Sequence, residues 1–189
     1  MNRREAVSAV AVILGGTVVG SSLFLSGCKQ QDKKGSPTDF TADEIALLDE
    51  VGETIIPTTD TPGAKAAQVG AFMKVMVTDC YEEKNQKAFV DGIAALQTAS
   101  DKKFGKGFMS LDAAQKKELL TELDKEQKAY TKDKKAEDPS HYFRLMKELT
   151  LLGYFSSEVG ATQALRYVPV PGKYEGCIPY KKGDKAWAT

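Results

Sequence analysis

The sequence predicts an all-α protein. It should be a single helical domain of about five main helices with an irregular, aromatic- and proline-rich C-terminal wrap, preceded by a cleavable lipoprotein signal. Three observations carry this expectation. Apolar residues recur at helical spacing from residue 40 to residue 165, with no alternating strand pattern of useful length. From Arg166 to Tyr180, Pro169, Pro171, Pro179, Gly172 and Gly176 forbid a helix, yet Tyr167, Tyr174, Tyr180 and later Trp187 give the tail more aromatic surface than a disordered segment carries. The first 28 residues read as an address rather than as structure.

Residues 1–27 are read as a signal peptide. Arg3 and Arg4 open a charged flank, the run from Ala6 to Ser26 is uncharged, and Leu25-Ser26-Gly27-Cys28 follows. Small residues at Ser26 and Gly27 let a peptidase approach the backbone, and the Cys28 thiol can accept a diacylglycerol. Cys28 is therefore the expected lipidation site of a bacterial lipoprotein. The competing reading is an uncleaved transmembrane helix, since the apolar run is about long enough to span a bilayer. Gly15, Gly16, Gly20, Ser21 and Ser22 weaken it as a permanent helix. Asn2-Arg3-Arg4-Glu5-Ala6-Val7 also resembles a twin-arginine export signal, whose machinery carries folded proteins; the alternative is an ordinary basic flank for the general route. Either route places the chain in the bacterial cell envelope, as a periplasm-facing or outer-membrane lipoprotein.

Cleavage before Cys28 leaves 162 of the 189 residues, enough for one domain with a real core. Arg3, Arg4 and Glu5 leave with the signal, so 24 basic and 25 acidic side chains remain. A balance this close to neutral argues against a nucleic-acid partner, which needs a basic face to displace counterions. It equally disfavours electrostatic attachment to anionic lipid, so membrane attachment rests on acyl chains at Cys28. Cys80 and Cys177 are left. In an oxidising compartment they either pair, closing a loop of about a hundred residues worth up to about 4–5 kcal/mol, or stay separate with Cys80 a core residue.

Residues 28–39 read as a lipidated, flexible tether and residues 40–189 as the folded domain. Thr41 and Glu44 form a capping box for the first helix, and Phe40 and Ile45 can close a hydrophobic staple. Ile45, Leu48, Val51 and Ile55 make its apolar stripe, and Pro57 stops it. The Pro57–Gly63 loop is a rigid, polar connector or, with Pro57, Thr58, Asp60 and Pro62 exposed, a binding edge. A second helix carries Val69, Phe72, Met73, Met76, Val77 and Cys80; its methionines read as core filler because no histidine accompanies them. A third runs from about Glu83 to Phe104 with Phe89, Val90, Ile93 and Leu96 inward, and Gly105 and Gly107 break it. Ser110 opens a fourth, with Leu111, Leu119, Leu120, Leu123 and Tyr130 and a solvated Lys/Glu face. After a charged loop from Thr131 to Glu137, Asp138-Pro139 reads as the cap of a fifth helix. That helix carries Tyr142, Phe143, Leu145, Met146, Leu149 and Leu152, is apolar on more than one face, and should be central. Gly153 and Gly160 allow close packing or a short break before the segment ends near Leu165.

Chemistry-bearing motifs are absent from the sequence. His141 stands alone, so no zinc site is expected, and no Cys-x-x-Cys-His occurs for covalent haem. Gly105-x-Gly107 follows a helix and lacks a further glycine, so it is not a dinucleotide fingerprint, and there is no Walker loop or nucleophile elbow. Glu148 is expected to pair with Arg144 at i, i+4 spacing, and Glu158 to meet Arg166. No catalytic, cofactor-binding or metal-binding residue is therefore assigned to this chain.

Two motif blocks carry a resemblance. Glu53-Thr54-Ile55-Ile56-Pro57-Thr58-Thr59-Asp60-Thr61-Pro62-Gly63-Ala64, followed by Val69-Gly70-Ala71-Phe72, is similar to the opening of the gluconate 2-dehydrogenase subunit 3 family. Leu149-Thr150-Leu151-Leu152-Gly153-Tyr154-Phe155-Ser156-Ser157-Glu158-Val159-Gly160 and the run Tyr167-Val168-Pro169-Val170-Pro171-Gly172 resemble the same family. The resemblance implies a small, cofactor-free subunit of a periplasmic or membrane-bound dehydrogenase. It further implies an FAD-carrying partner of the glucose–methanol–choline oxidoreductase type, often with a haem-bearing cytochrome c subunit to take the electrons. Substrate choice, a sugar or polyol, then belongs to the flavoprotein. The lipobox departs from the simplest family member and suggests that this subunit also anchors the complex. The interface expected on this reading joins Pro57, Thr58, Asp60 and Pro62 to Arg166, Tyr167, Tyr174 and Tyr180. Two other classes stay open: a free-standing carbohydrate-binding lipoprotein that stacks glycans on the tail's aromatics, and an enzyme with an unrecognised acid–base pair.

Overall fold

The computed structural model describes residues 39–170, 172, 173 and 175–188. The expected signal with Arg3 and Arg4, the expected lipidation site Cys28, most of the expected tether and Tyr174 lie outside the described residues. Within them the domain is all-α: α1 (Ala42–Ile55), α2 (Val69–Cys80), α3 (Glu83–Phe104), α4 (Ala113–Asp133) and α5 (Tyr142–Ser156). Short 3-10 turns at Ala64–Ala67 and Phe108–Ser110 and a π-helical turn at Gly160–Ala164 complete the order.

The start of α1 follows from its capping box: the Glu44 N–H donates to Thr41 Oγ1 at 3.2 Å, and the Thr41 N–H returns to Glu44 Oε2 at 2.8 Å. Phe40, just outside, is buried and meets Phe89 of α3 edge-on, with ring centroids 6.0 Å apart. Helix α2 is entered through Gln68 in the left-handed region (φ 53°). One of its free first-turn donors, the Gly70 N–H, is taken by Asp49 Oδ1 of α1 at 2.7 Å. Gly105, at φ 68°, closes α3 in the conformation that favours glycine.

Helix α4 starts two residues later than Ser110 suggested. Asp112 caps it, accepting from the Gln115 N–H at 2.8 Å in a second capping box, while Phe108–Ser110 forms a separate turn. It also runs on to Asp133, taking in the start of the expected loop. The cap of α5 is His141 rather than Asp138-Pro139. Asp138 is spent on a tight turn, accepting the Lys135 N–H at 2.9 Å, and Asn85 holds the Ser140 N–H at 2.9 Å.

Helix α5 is central and touches each of the other four helices. Phe143, Leu145, Met146, Leu149 and Tyr154 are buried, sharing one core with Leu48, Val51, Met73, Val77, Phe89 and Leu96. The approach of α3 to α5 needs Gly92, since a Cβ there would lie 2.2 Å from the Tyr142 Cβ.

The α5 cap should be pH-sensitive. His141 Nδ1 accepts the Phe143 N–H at 3.2 Å, which requires a neutral ring. The ring stacks on Tyr142 at 4.5 Å and lies 5.6 Å from Tyr130 of α4, while Nε2 is 3.7 Å from Glu126 of α4. Burial lowers its pKa, and Glu126 only partly opposes that. A histidine depressed in the folded state contributes stability that is present above its unfolded value of about 6.5 and is lost as pH falls through the folded value. Neither Tyr142, pushed up to about 12 by burial, nor Asp124 of α4, held at about 2 by Lys128 and Lys147, titrates in that window. The urea midpoint should therefore fall between pH 7.5 and pH 5, and His141→Asn, which keeps a cap acceptor, should flatten the fall. Equal slopes for the two proteins would refute the assignment.

Candidate functional site

The C-terminal end of α5 gathers the segments that the sequence marked as partner-facing. The first is the Pro57–Gly63 loop, and Glu53 from the last turn of α1 builds it. Glu53 Oε1 accepts the Thr58 N–H at 2.8 Å and the Thr58 hydroxyl at 2.7 Å, and Oε2 accepts the Lys65 N–H at 3.0 Å. Burial alone would push this carboxyl up. The Thr58 hydroxyl and the backbone donors of Lys65 and Thr58 outweigh it and hold the pKa below the usual value. Gly63 leaves room for the carboxylate, because a Cβ there would displace Glu53 Oε2. One turn earlier, Glu50 holds Lys116 of α4 at 2.8 Å and Lys65 at 3.1 Å.

The buried Tyr154 of α5 ties the loop down, its hydroxyl donating to the Pro62 carbonyl at 2.6 Å. Pro57, Thr58 and Asp60 are thereby exposed on a fixed frame, with Pro62 partly covered. Thr58 serves mainly as scaffolding, since its hydroxyl and N–H both face Glu53.

The second segment, the tail, leaves the same end of α5. Ser157 Oγ donates to the Tyr154 carbonyl at 2.7 Å and accepts the Gly160 N–H at 3.0 Å, turning the chain into the π-helical turn. Arg166 then forms an isolated parallel bridge with Trp187. Its N–H donates to Ala186 O at 2.8 Å, and its carbonyl accepts the Ala188 N–H at 2.9 Å. Its guanidinium lies over the indole, 4.3 Å from the ring centroid. The tail is irregular, as its prolines require, and it closes on its own base. None of its described residues past Ala164 belongs to the core or its rim.

This arrangement revises several expectations. Arg166 is engaged with Trp187 and Lys185, not with Glu158, whereas Arg144 does pair with Glu148 at 2.7 Å. Tyr167 and Tyr180 are exposed, at 53 % and 78 %. Cys80 and Cys177 are free, exposed thiols, so the bridge is not formed in this structure, and Cys80, at the last residue of α2, is not a core residue.

Sequence reasoning missed a third element. Leu151, Leu152 and Phe155 of α5 are 40 %, 52 % and 43 % exposed. Apolar residues on more than one face, Leu152 among them, predict a helix surrounded by the others. The helix is covered along Leu145, Met146, Leu149 and Gly153, and its other face is open. The ring of Phe155 packs edge-on against Tyr154, 5.1 Å between centroids, so this patch adjoins the residue that holds the loop. Among the described residues, no group of three or more His, Cys, Asp or Glu side chains is placed to hold a metal ion. No helix among them is long and apolar enough to cross a membrane.

A family model described as gluconate 2-dehydrogenase subunit 3 matches residues 42–172, from the start of α1 into the tail. No curated protein and no solved structure matches the chain.

Proposed function

The chain belongs to the gluconate 2-dehydrogenase subunit 3 family, a subunit family of a multi-subunit dehydrogenase, and from that premise we propose that it is the non-catalytic small subunit of a flavin-dependent sugar or polyol dehydrogenase in the bacterial envelope. Its partner is a glucose–methanol–choline-type flavoprotein that carries FAD, with a cytochrome c subunit as electron acceptor. Its work is to support export and maturation of the flavoprotein through the Arg3-Arg4 signal and to anchor the complex through lipid on Cys28.

The observation that carries the docking part is the open apolar face of Leu151, Leu152 and Phe155 beside a loop locked by Glu53. Exposed aromatic and aliphatic groups on a rigid frame are what a subunit interface uses as anchors.

Deleting the chain and following the flavoprotein tests the role. Dehydrogenase activity should vanish from the periplasm, with inactive flavoprotein left in the cytoplasm. Normal activity at the normal location would reject it. Lys-Lys in place of Arg3-Arg4 should mimic the deletion, and Cys28→Ala should release the complex from the membrane. On the interface itself, Phe155→Ala should weaken copurification of the flavoprotein by about 2 kcal/mol, roughly 30-fold. Undiminished copurification of Phe155→Ala together with Leu152→Ala would remove this face from the interface.

A further inference from the structure

We propose that Arg166 and Trp187 form a clasp that pre-shapes the C-terminal loop for the catalytic subunit, so that Arg166 is a positioning residue rather than a partner contact. The proposal rests on the small-subunit reading above.

Among the described residues, the hydrogen bonds that join distant parts of the loop lie at its two ends. Arg166 supplies both backbone bonds of the bridge and the cation over the indole, and its Nη2 donates to the Lys185 carbonyl at 3.3 Å. The Lys185 ammonium in turn donates to the Gln163 carbonyl. Between the ends, the described residues add only local contacts: an exposed Lys173–Glu175 ion pair at 2.6 Å and one turn, in which the Lys181 N–H donates to Asp184 Oδ2 at 3.0 Å. Val170 and Tyr180 stand out into solvent, at 81 % and 78 % exposed, while Val168 and Ile178 line a cavity closed on one side by Trp187 of the clasp. A proline-containing loop without core contacts holds one shape only if its ends are fixed, and fixing them removes the closure entropy that a partner would otherwise have to overcome. Trp187 lies beyond residue 172, where the family match ends, so the clasp closes a segment that the match only partly covers.

The chain has a single tryptophan, which makes the clasp directly observable. In the isolated full chain, Arg166→Ala should shift the Trp187 emission to the red, lower its anisotropy and speed tryptic cutting at Lys181 and Lys182, with the helical circular dichroism unchanged. Arg166→Lys, which keeps a cation over the ring, should fall between the two. For the flavoprotein that copurifies with the full chain, Arg166→Ala and Trp187→Ala should each raise Kd about tenfold. The double variant should be no worse than either single one, because opening the clasp once is enough. Additive losses would mean two separate partner contacts and overturn the clasp. So would wild-type affinity in a variant whose loop has opened, or wild-type emission and proteolysis in Arg166→Ala. A wild-type chain that retains no flavoprotein at all would instead bring down the small-subunit reading, and the proposal with it.

Discussion

Glu53→Ala should unlace the Pro57–Gly63 loop and lower the unfolding free energy by about 2–3 kcal/mol. Three donors lose their acceptor at once: the Thr58 N–H, the Thr58 hydroxyl and the Lys65 N–H. Hydrogen bonds to a charged acceptor are worth about 1.5–3 kcal/mol each when buried. Here Glu53 is only partly covered and Thr58 is exposed, so water can replace some of what is lost. That puts the total near the worth of a single buried bond of this kind rather than three. Glu53→Gln keeps an acceptor oxygen and should cost about 1 kcal/mol.

The charge dependence has a definite sign. The folded-state pKa of Glu53 lies below its ordinary value of 4.5, so its contribution is present above pH 4.5 and is lost as pH falls through the lowered value. The wild-type advantage over Glu53→Gln should therefore shrink with acidification below pH 4.5. Gly63→Ala places a methyl where the carboxylate sits, and should act through the same loss. Its effect should not add to that of Glu53→Ala. Urea midpoints of the two single variants and the double settle the point. A Glu53→Ala protein within about 0.5 kcal/mol of wild type would show that the carboxylate does not hold the loop.

Much of the helical framework was legible because its signals are local. Thr41 with Glu44 marks the start of α1 within four residues, and Gly105 marks the end of α3 by its need for positive φ. The two misplaced boundaries have local competitors: Ser110 precedes a better cap in Asp112, and Asp138 finds the Lys135 N–H before it can reach a helix.

What was not legible depends on side-chain partners outside the segment itself. The Pro57–Gly63 loop was recognisable by composition, but its rigidity comes from Glu53 and from Tyr154, whose hydroxyl crosses the fold to Pro62. The prolines after Arg166 forbid a helix without saying where the chain goes, and its destination is fixed by Trp187. The open face of α5 is the plainest case. Leu151, Leu152 and Phe155 look like core residues in any sequence, since apolar character records that a surface is to be covered and not by which chain.

Gly160→Ala should be the most disruptive single-methyl change at this end of the molecule, costing about 2–4 kcal/mol. Two effects oppose each other. Replacing glycine within a helical turn gains up to about 1 kcal/mol of backbone propensity. The new Cβ, however, would lie 1.9 Å from the Tyr154 carbonyl oxygen, 2.7 Å from its carbon and 3.2 Å from the Phe155 Cα. All three are backbone atoms of the last turn of α5, so no side chain can swing aside, and the turn or the helix end must move by more than an ångström. The steric cost wins.

Gly105→Ala separates this from a purely conformational penalty. At φ 68° with nothing within 4 Å, it pays only for the left-handed backbone, about 1–2 kcal/mol. The displacement at Gly160 also reaches both interface segments. On one side, Tyr154 loses its aim at the Pro62 carbonyl, and with it the tie that holds the loop. On the other, the π-helical turn, closed by the Leu165 N–H on Gly160 O at 2.9 Å, sets the position of Arg166. The Gly160→Ala protein should accordingly unfold at lower urea than Gly105→Ala and show the red-shifted Trp187 emission of an opened clasp. Its hold on the flavoprotein should weaken as well, a loss that Gly105→Ala should not share. A Gly160→Ala protein as stable as wild type, with unchanged emission, would mean that the end of α5 does not couple the loop to the tail.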